Sequence, residues 1–103
     1  HGSSSVPEKY VEIINANGGN MPNAIGIPEE QLRKATKSAV CKINIDSDSR
    51  LAFTAGVRET MKAHPEYFDP RQYCGKAREY MTDLYAEKIK NVLGSDNKLA
   101  NLD

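Results

Sequence analysis

The 103-residue sequence predicts an α/β fold in which one strand lies among helices. Apolar and polar residues alternate over residues 40–46, with the period of two that places Cys41, Ile43 and Ile45 on one face of a strand. The flanking segments have helical spacing, and helix, strand and helix in this order are typical of βα units with a parallel sheet. Because so apolar a strand needs backbone partners on both edges, we expect its neighbours to lie outside these residues.

Two short helices are predicted before the strand. A first helix over residues 7–15 is favoured by Ser5 as its cap and by Glu8 three residues later, as in a capping box. A second helix begins at Pro28 and extends to about residue 38. The segment before the strand is therefore predicted to be mainly helical.

Two longer helices are predicted after the strand. Asp48 is the predicted cap of a third helix over residues 50–64. The last helix is predicted over residues 75–92. Before it, Asp69 has the character of a helix cap and Pro70 that of a first helical residue. The last helix carries a packing stripe at spacings of three and four, formed by Ala77, Tyr80, Met81, Leu84, Tyr85, Ile89 and Val92.

The composition excludes several classes of function. The 14 Lys and Arg residues balance the 14 Asp and Glu residues, and without a basic tract the chain lacks an electrostatic surface for nucleic acid. No apolar run approaches the ~20 residues that span a bilayer, and no signal peptide is recognised, so we expect a cytoplasmic protein without a membrane partner. Cys41 and Cys74 are expected to be free thiols, with Cys41 as a small strand hydrophobe. Because His1 and His64 are the two histidines, this chain alone is not expected to complete a zinc site.

The polar face of the predicted strand carries Lys42, Asn44 and Asp46, and the residues alone leave its purpose open. An antiparallel strand with one face in water has the same alternation. A calcium loop that starts at Asn44 is excluded, because its sixth position is Ser49 rather than Gly and its twelfth is Ala55 rather than Glu. The opening HGSSS is compatible with an expression-tag remnant or a flexible linker.

Three motifs change this interpretation when they are taken together. They are HGSSSVP at residues 1–7, KINIDSDSR at residues 42–50 and FDPRQYCGKAR at residues 68–78. In this order they resemble the C-terminal part of a class II fructose-1,6-bisphosphate aldolase, over residues 1 to about 95. The resemblance implies a (β/α)8 TIM barrel, a fold of ~250 residues or more.

The resemblance also implies which part of the barrel these residues form. Residues 1–64 would be the end of strand 7, helix 7, strand 8 and helix 8. Residues 65–103 would be a C-terminal helical extension of the same domain. The partner strands of residues 40–46 would then precede these residues in the chain.

The activity implied by the resemblance is zinc-dependent cleavage of fructose 1,6-bisphosphate to dihydroxyacetone phosphate and glyceraldehyde 3-phosphate, a step of glycolysis and gluconeogenesis. One zinc ligand falls on His1, and nearby backbone carbonyls are implied to hold a monovalent cation. The proton-transfer aspartate of the family has no counterpart here, so no catalytic residue is assigned and these residues alone are expected to be inactive. The alternatives are a tagatose-bisphosphate aldolase of the same family and a noncatalytic helical interaction module.

Substrate contacts are implied in three segments. A phosphate pocket would follow His1, the polar end of the strand would contact the dihydroxyacetone phosphate portion, and two arginines would bind the far phosphate. The implied substrate-binding residues are Gly2, Ser3, Ser4, Asn44, Ile45, Asp46, Ser47, Arg50 and Arg71. In the family the FDPR arginine reaches into a neighbouring subunit, which implies a homo-oligomer, either a dimer or a tetramer.

Several of these side chains also have a plainer interpretation. For Arg50 the alternative is an ion pair along the helix with Glu59 or another acid. For Arg71 it is a surface position just inside a helix start. His64 is interpreted as a solvated residue at the end of a helix.

Overall fold

The computed structural model describes residues 5–22 and 26–101, and within these ranges the regular structure is helical. The described ranges contain four α-helices, and the last of these continues directly into a π-helical segment, which a short 3₁₀ turn follows. Their bounds are Glu8–Ala16 for α1, Glu29–Ala35 for α2, Ser47–Ala63 for α3, Pro70–Glu87 for α4, Lys88–Leu93 for the π-helical segment and Lys98–Asn101 for the 3₁₀ turn.

The core lies between α1, α3 and α4. Helices α3 and α4 pack against each other, α1 packs on α3, and α2 contacts the π-helical segment. The pair α3–α4 approaches most closely at Gly56, where an added Cβ would lie 2.6 Å from the Cα of Ala77. A side chain is therefore excluded at this position. The central buried cluster consists of Tyr10, Ile14, Ala52, Ala55 and Leu84.

The start of α4 follows its sequence signature closely. The Asp69 carboxylate accepts a hydrogen bond from the Arg71 backbone N–H at 2.9 Å, and the Gln72 side chain accepts one from the Asp69 backbone N–H at 3.2 Å. Pro70 occupies the first helical position. This confirms the predicted cap and first residue, and it explains why α4 begins five positions before the predicted start at residue 75.

The predicted strand over residues 40–46 is not formed in this structure. Among the described residues no strand is present, and the segment is irregular, with Val40 and Cys41 exposed. The physical reason is that a strand needs neighbouring backbone to satisfy its N–H and C=O groups, and the rest of the described chain is helical. The prediction of Cys41 as a buried strand hydrophobe is wrong here, while both cysteines are free thiols as predicted.

Two predicted caps are also wrong. Pro7, not Ser5, is in the cap position of α1, and Asp46, not Asp48, is in the cap position of α3. Both predicted capping side chains have another partner, because the Ser5 hydroxyl bonds the Asp48 carboxylate. Neither prediction accounted for a contact between residues 43 positions apart.

The end of the last helix differs from the predicted stripe. Tyr85 and Ile89 are 41% and 43% exposed, whereas Lys88 and Val92 are buried. A π-helical segment has a longer hydrogen-bonded turn than an α-helix, which changes the face that its residues present. It ends at Gly94, whose φ of 64° lies in the left-handed region.

The predicted division of the chain falls in the connector between α3 and α4. The assignment of residues 1–64 to a barrel and of residues 65–103 to a helical extension stays a prediction.

Candidate functional site

A buried ion pair joins the start of α3 to the end of the last helix. Asp48 and Lys88 are each 2% exposed, and the Lys88 Nζ lies 2.7 Å from the Asp48 Oδ2. The Ser5 hydroxyl donates to the same carboxylate, with its Oγ 2.6 Å from each carboxylate oxygen, and the Lys88 ammonium donates to the Ser5 Oγ at 3.4 Å. The pair therefore meets the requirement that buried charges be matched and hydrogen-bonded.

A second carboxylate lies beside the same lysine. The Glu29 Oε1 is 3.7 Å from the Lys88 Nζ, and the Glu29 Oε2 is buried with no hydrogen-bond partner in the part of the chain that the structure describes. Two carboxylates thus face one ammonium at this point, which links α2 to α3 and the last helix.

The predicted substrate contacts at the start of α3 are exposed or half-buried. Asn44 is exposed, Ile45 and Ser47 are half-buried, and the Asp46 side chain is 72% exposed. The Asp46 side chain makes no capping hydrogen bond to α3 and instead accepts one from the Arg50 Nε at 3.1 Å. The first backbone N–H groups of a helix have no partner within the helix, and in the 17-residue helix α3 no side-chain cap bonds them either.

The two predicted phosphate-binding arginines are both exposed and both paired locally. The Arg50 side chain is 78% exposed and the Arg71 side chain is 90% exposed. The Arg71 Nη2 lies 2.6 Å from the Asp69 Oδ2, and its hydrogen bonds lower the pKa of the Asp69 carboxyl below its ordinary value. The alternative partner suggested for Arg50, Glu59, instead accepts a hydrogen bond from the Tyr80 hydroxyl.

The predicted metal ligand His1 and the predicted phosphate-pocket residues Gly2, Ser3 and Ser4 lie outside the described residues. Within residues 5–22 and 26–101 no group of three or more His, Cys, Asp or Glu side chains could hold a metal ion. The described residues therefore do not by themselves form a zinc site, which needs three or four protein ligands.

Two predicted packing features are confirmed. His64 is at the C-terminal cap of α3, about half exposed, where it stacks on Tyr67 with ring centroids 4.4 Å apart. Tyr80 packs beside Tyr10, with ring centroids 5.6 Å apart, and burial together with the Glu59 hydrogen bond raises the pKa of Tyr80 to about 12.

The buried cluster of Ser5, Asp48 and Lys88 was not predicted from the sequence, in which Ser5 and Asp48 are expected only as caps and Lys88 has no assigned role. One signal was present, because Lys88 lies four residues from both Leu84 and Val92, two fully buried residues of the same stripe. A charged residue at a core-facing position predicts a buried partner of opposite charge.

At the start of the long helix α3, the exposed guanidinium and amide groups and the backbone N–H groups without a side-chain cap are donors suited to a phosphate, and the exposed carboxylate can accept hydrogen bonds from hydroxyl groups. The family model for class-II fructose-bisphosphate aldolase matches residues 1–98. The chain therefore belongs to the class-II fructose-bisphosphate aldolase family, which confirms the resemblance carried by the three motifs. Aldolases of this family are lyases.

Curated relatives agree with the family match. The chain is 58% identical over 95 residues to a fructose-bisphosphate aldolase of Treponema pallidum (strain Nichols), covering 92% of this chain and 29% of that protein. It is 50% identical over 90 residues to one of Giardia intestinalis, covering 87% of this chain and 28% of that protein. With the class 2 enzyme of Synechocystis it shares 40% identity over 104 residues, covering 99% of this chain and 29% of that protein.

The matched region is the C-terminal part of these relatives, and the chain spans less than a third of their length. In the described ranges, no helix has both the length and the apolar character that crossing a bilayer requires.

Proposed function

We propose that this chain is the C-terminal part of a cytoplasmic, zinc-dependent aldolase that cleaves fructose 1,6-bisphosphate to dihydroxyacetone phosphate and glyceraldehyde 3-phosphate. The observation that carries the proposal is the start of α3. There the Asp46 side chain does not cap the helix and pairs with Arg50, so that a carboxylate and a guanidinium are exposed at one helix end whose first backbone N–H groups have no side-chain cap. Family membership supports the same reaction.

The dihydroxyacetone phosphate half of the substrate is assigned to residues at the start of α3. Asn44 and Asp46 would hydrogen-bond its oxygens, and the backbone N–H and hydroxyl of Ser47 would bind its phosphate. A helix N-terminus favours such an anion through its unpaired N–H groups and its dipole. Gly2, Ser3 and Ser4 would complete this phosphate pocket.

The far phosphate is assigned to Arg50 and Arg71. A guanidinium has a planar set of donors that matches phosphate oxygens, and both side chains are exposed enough to exchange a local carboxylate for a ligand. Arg71 would do so in the site of a neighbouring subunit, in a homo-oligomer of two or four chains.

The metal is assigned to Zn²⁺, with His1 as one ligand and the remaining ligands supplied by parts of the intact protein beyond this chain. Bound Zn²⁺ would supply a Lewis acid for the charge that develops on carbon–carbon cleavage. No catalytic acid or base is assigned within this chain, and a monovalent cation near Gly2 is part of the proposal. The fold of the intact protein is proposed to be a (β/α)8 barrel in which residues 40–46 pair as its eighth strand.

The proposal is tested with the full-length protein that carries this chain. Cleavage of fructose 1,6-bisphosphate is followed before chelation, after chelation, and after return of Zn²⁺. We expect activity that is lost on chelation and restored by zinc. Cleavage of tagatose 1,6-bisphosphate at a higher kcat/KM would identify the other substrate of the family, and absence of cleavage of either sugar would overturn the proposal.

A further inference from the structure

We infer that Ser5, Asp48 and Lys88 are positioning residues that fix the first turn of α3, which carries the proposed dihydroxyacetone phosphate contacts Asp46 and Ser47, an inference that rests on the proposed function. Ser5 directly follows the predicted phosphate contact Ser4, and Asp48 directly follows the predicted phosphate contact Ser47. Consecutive Cα atoms lie about 3.8 Å apart, so a side chain fixed at one position restrains the backbone of its neighbour. The cluster therefore acts at one residue's distance from Ser47, the first residue of α3.

The contacts of the cluster join segments that are distant in the chain. The hydrogen bond between the Ser5 hydroxyl and the Asp48 carboxylate spans 43 positions, and the contact between Lys88 and Ser5 spans 83. The lysine also faces Glu29 from α2. One ammonium thus bridges the segment before α1, the start of α3 and the start of α2.

The chemistry of the cluster favours positioning over simple packing. The neighbours of Lys88 on the same stripe are Leu84 and Val92, which are fully buried, and an apolar residue between them would fill the same core. A buried ion pair is commonly no more stabilising than well-packed apolar residues, because both charges lose their hydration. It differs in fixing the direction of its partners, and here the Asp48 carboxylate is next to the predicted substrate contact Ser47.

The directions of the hydrogen bonds support this role. The Asp48 carboxylate accepts from both the hydroxyl of Ser5 and the ammonium of Lys88, which fixes the first turn of α3 from two sides. Asp46, two positions earlier, is thereby left on the exposed side of that turn. The buried cluster and the exposed substrate groups are consequently parts of one helix start.

The test measures steady-state kinetics of the full-length protein in the condensation direction for wild type and the Ser5→Ala and Asp48→Asn variants. Ser5→Ala removes one hydroxyl and leaves both charges of the ion pair in place, so it is the variant expected to fold. We expect both variants to raise the KM for dihydroxyacetone phosphate about 10-fold, the loss of about one hydrogen bond to a charged group. We expect the KM for glyceraldehyde 3-phosphate, whose phosphate is assigned to the arginines, to change less than about 2-fold.

Glu87→Gln is the matched control. Glu87 precedes Lys88 and pairs with Lys9 of α1 at 2.5 Å, so its loss removes an interhelical ion pair that touches no predicted substrate segment. We expect both KM values of this control to match those of wild type. Ser5→Thr, which keeps the hydroxyl, is expected to restore most of the affinity that Ser5→Ala loses.

The outcomes separate the inference from the proposed function. A wild-type protein without aldolase activity would overturn the proposed function and the inference with it. An active wild type whose Ser5→Ala variant keeps its KM for dihydroxyacetone phosphate, or raises both KM values equally, would overturn the inference alone. A lower melting temperature with unchanged KM values would also overturn it, because that is the result of a purely structural role.

Discussion

Two ion pairs at the start of α3 have similar chemistry and opposite surroundings. Asp48 and Lys88 are both about 3% exposed in their side chains and lie 2.7 Å apart, whereas Asp46 and Arg50 are 72% and 78% exposed and lie 3.1 Å apart. The two carboxylates are two positions apart in the sequence. One helix start therefore carries a carboxylate held by the interior and another available to a ligand.

The difference in burial between these two carboxylates shows how one helix start can be held in place by the core and still present a side chain to a ligand. Removing one member of a buried pair leaves a charge without solvent or partner, which is costly. Removing one member of an exposed pair costs about 0–1 kcal/mol, because water replaces the partner. The buried pair is thus expected to control stability in addition to the geometry of the pocket, whereas the exposed pair is expected to control function with little effect on stability. The predictions below test that division.

The largest effect is expected for Lys88→Met. The substitution leaves the Asp48 carboxylate buried and unpaired, so we expect a loss of about 3–5 kcal/mol in the free energy of unfolding. The melting temperature of the full-length protein is the measurement. Lys90→Met, at an exposed position two residues later, is the control and should change it little. Equal melting temperatures for the two variants would show that the buried pair is not formed.

The next effect is expected for Asp46→Ala in the exposed pair. We expect kcat/KM for fructose 1,6-bisphosphate to fall about 100-fold, since a substrate hydrogen bond to a charged group contributes about 1.5–3 kcal/mol. The melting temperature should change little. Glu79→Ala, which removes an exposed ion pair with Lys76 on α4, is the control for loss of a surface carboxylate. Unchanged kinetics in Asp46→Ala would remove this residue from the site.

Arg71→Ala is expected to have a smaller kinetic effect that falls mainly on binding. Loss of a phosphate contact should raise the KM for fructose 1,6-bisphosphate about 10-fold and leave kcat nearly unchanged. Arg78→Ala, on the same helix and also exposed, is the matched control and should behave as wild type. If Arg71→Ala and Arg78→Ala gave the same KM, the far phosphate would have to be bound elsewhere.

The smallest expected effect is the pH dependence of stability that arises from the hydrogen bond between Tyr80 and Glu59, a partly buried pair between α3 and α4. Burial and this hydrogen bond raise the pKa of Tyr80 to about 12, so the folded state favours the protonated phenol. Its contribution to stability is present below the ordinary tyrosine pKa of about 10 and is lost as the pH rises through about 12. The difference in phenolate absorbance between wild type and Tyr80→Phe should titrate near pH 12.

Glu59→Gln supplies the control for that titration. It removes the carboxylate and leaves the burial of the ring, so the midpoint should move down from about 12 and remain above about 10. A Tyr80 midpoint near 10 in wild type would contradict the buried, hydrogen-bonded arrangement.

The helices could be predicted from the sequence because their signals are local. The cap at Asp69 and the proline after it mark the start of α4, and the predicted first helix at residues 7–15 lies within one residue of Glu8–Ala16. The family could also be predicted, because three motifs occur in order and a family model matches residues 1–98.

Two features could not be predicted because they depend on distant partners. The pattern at residues 40–46 is that of a strand, but strand formation requires neighbouring strands, and the described residues provide none. The cap predictions for Ser5 and Asp48 used local spacing, whereas both side chains are engaged in a cluster with a lysine near the other end of the chain. Sequence spacing near a helix start cannot indicate whether a side chain will cap that helix or instead bond a residue that is distant in the chain.

A crystal structure of the full-length protein with dihydroxyacetone phosphate bound would test the proposed site most directly. We expect Asp46 to turn from Arg50 to the ligand and the phosphate to lie against the backbone N–H groups at the start of α3. The Asp48–Lys88 pair should be unchanged at about 2.7 Å. A ligand bound away from the start of α3, with the Asp46–Arg50 pair intact, would contradict the proposed site.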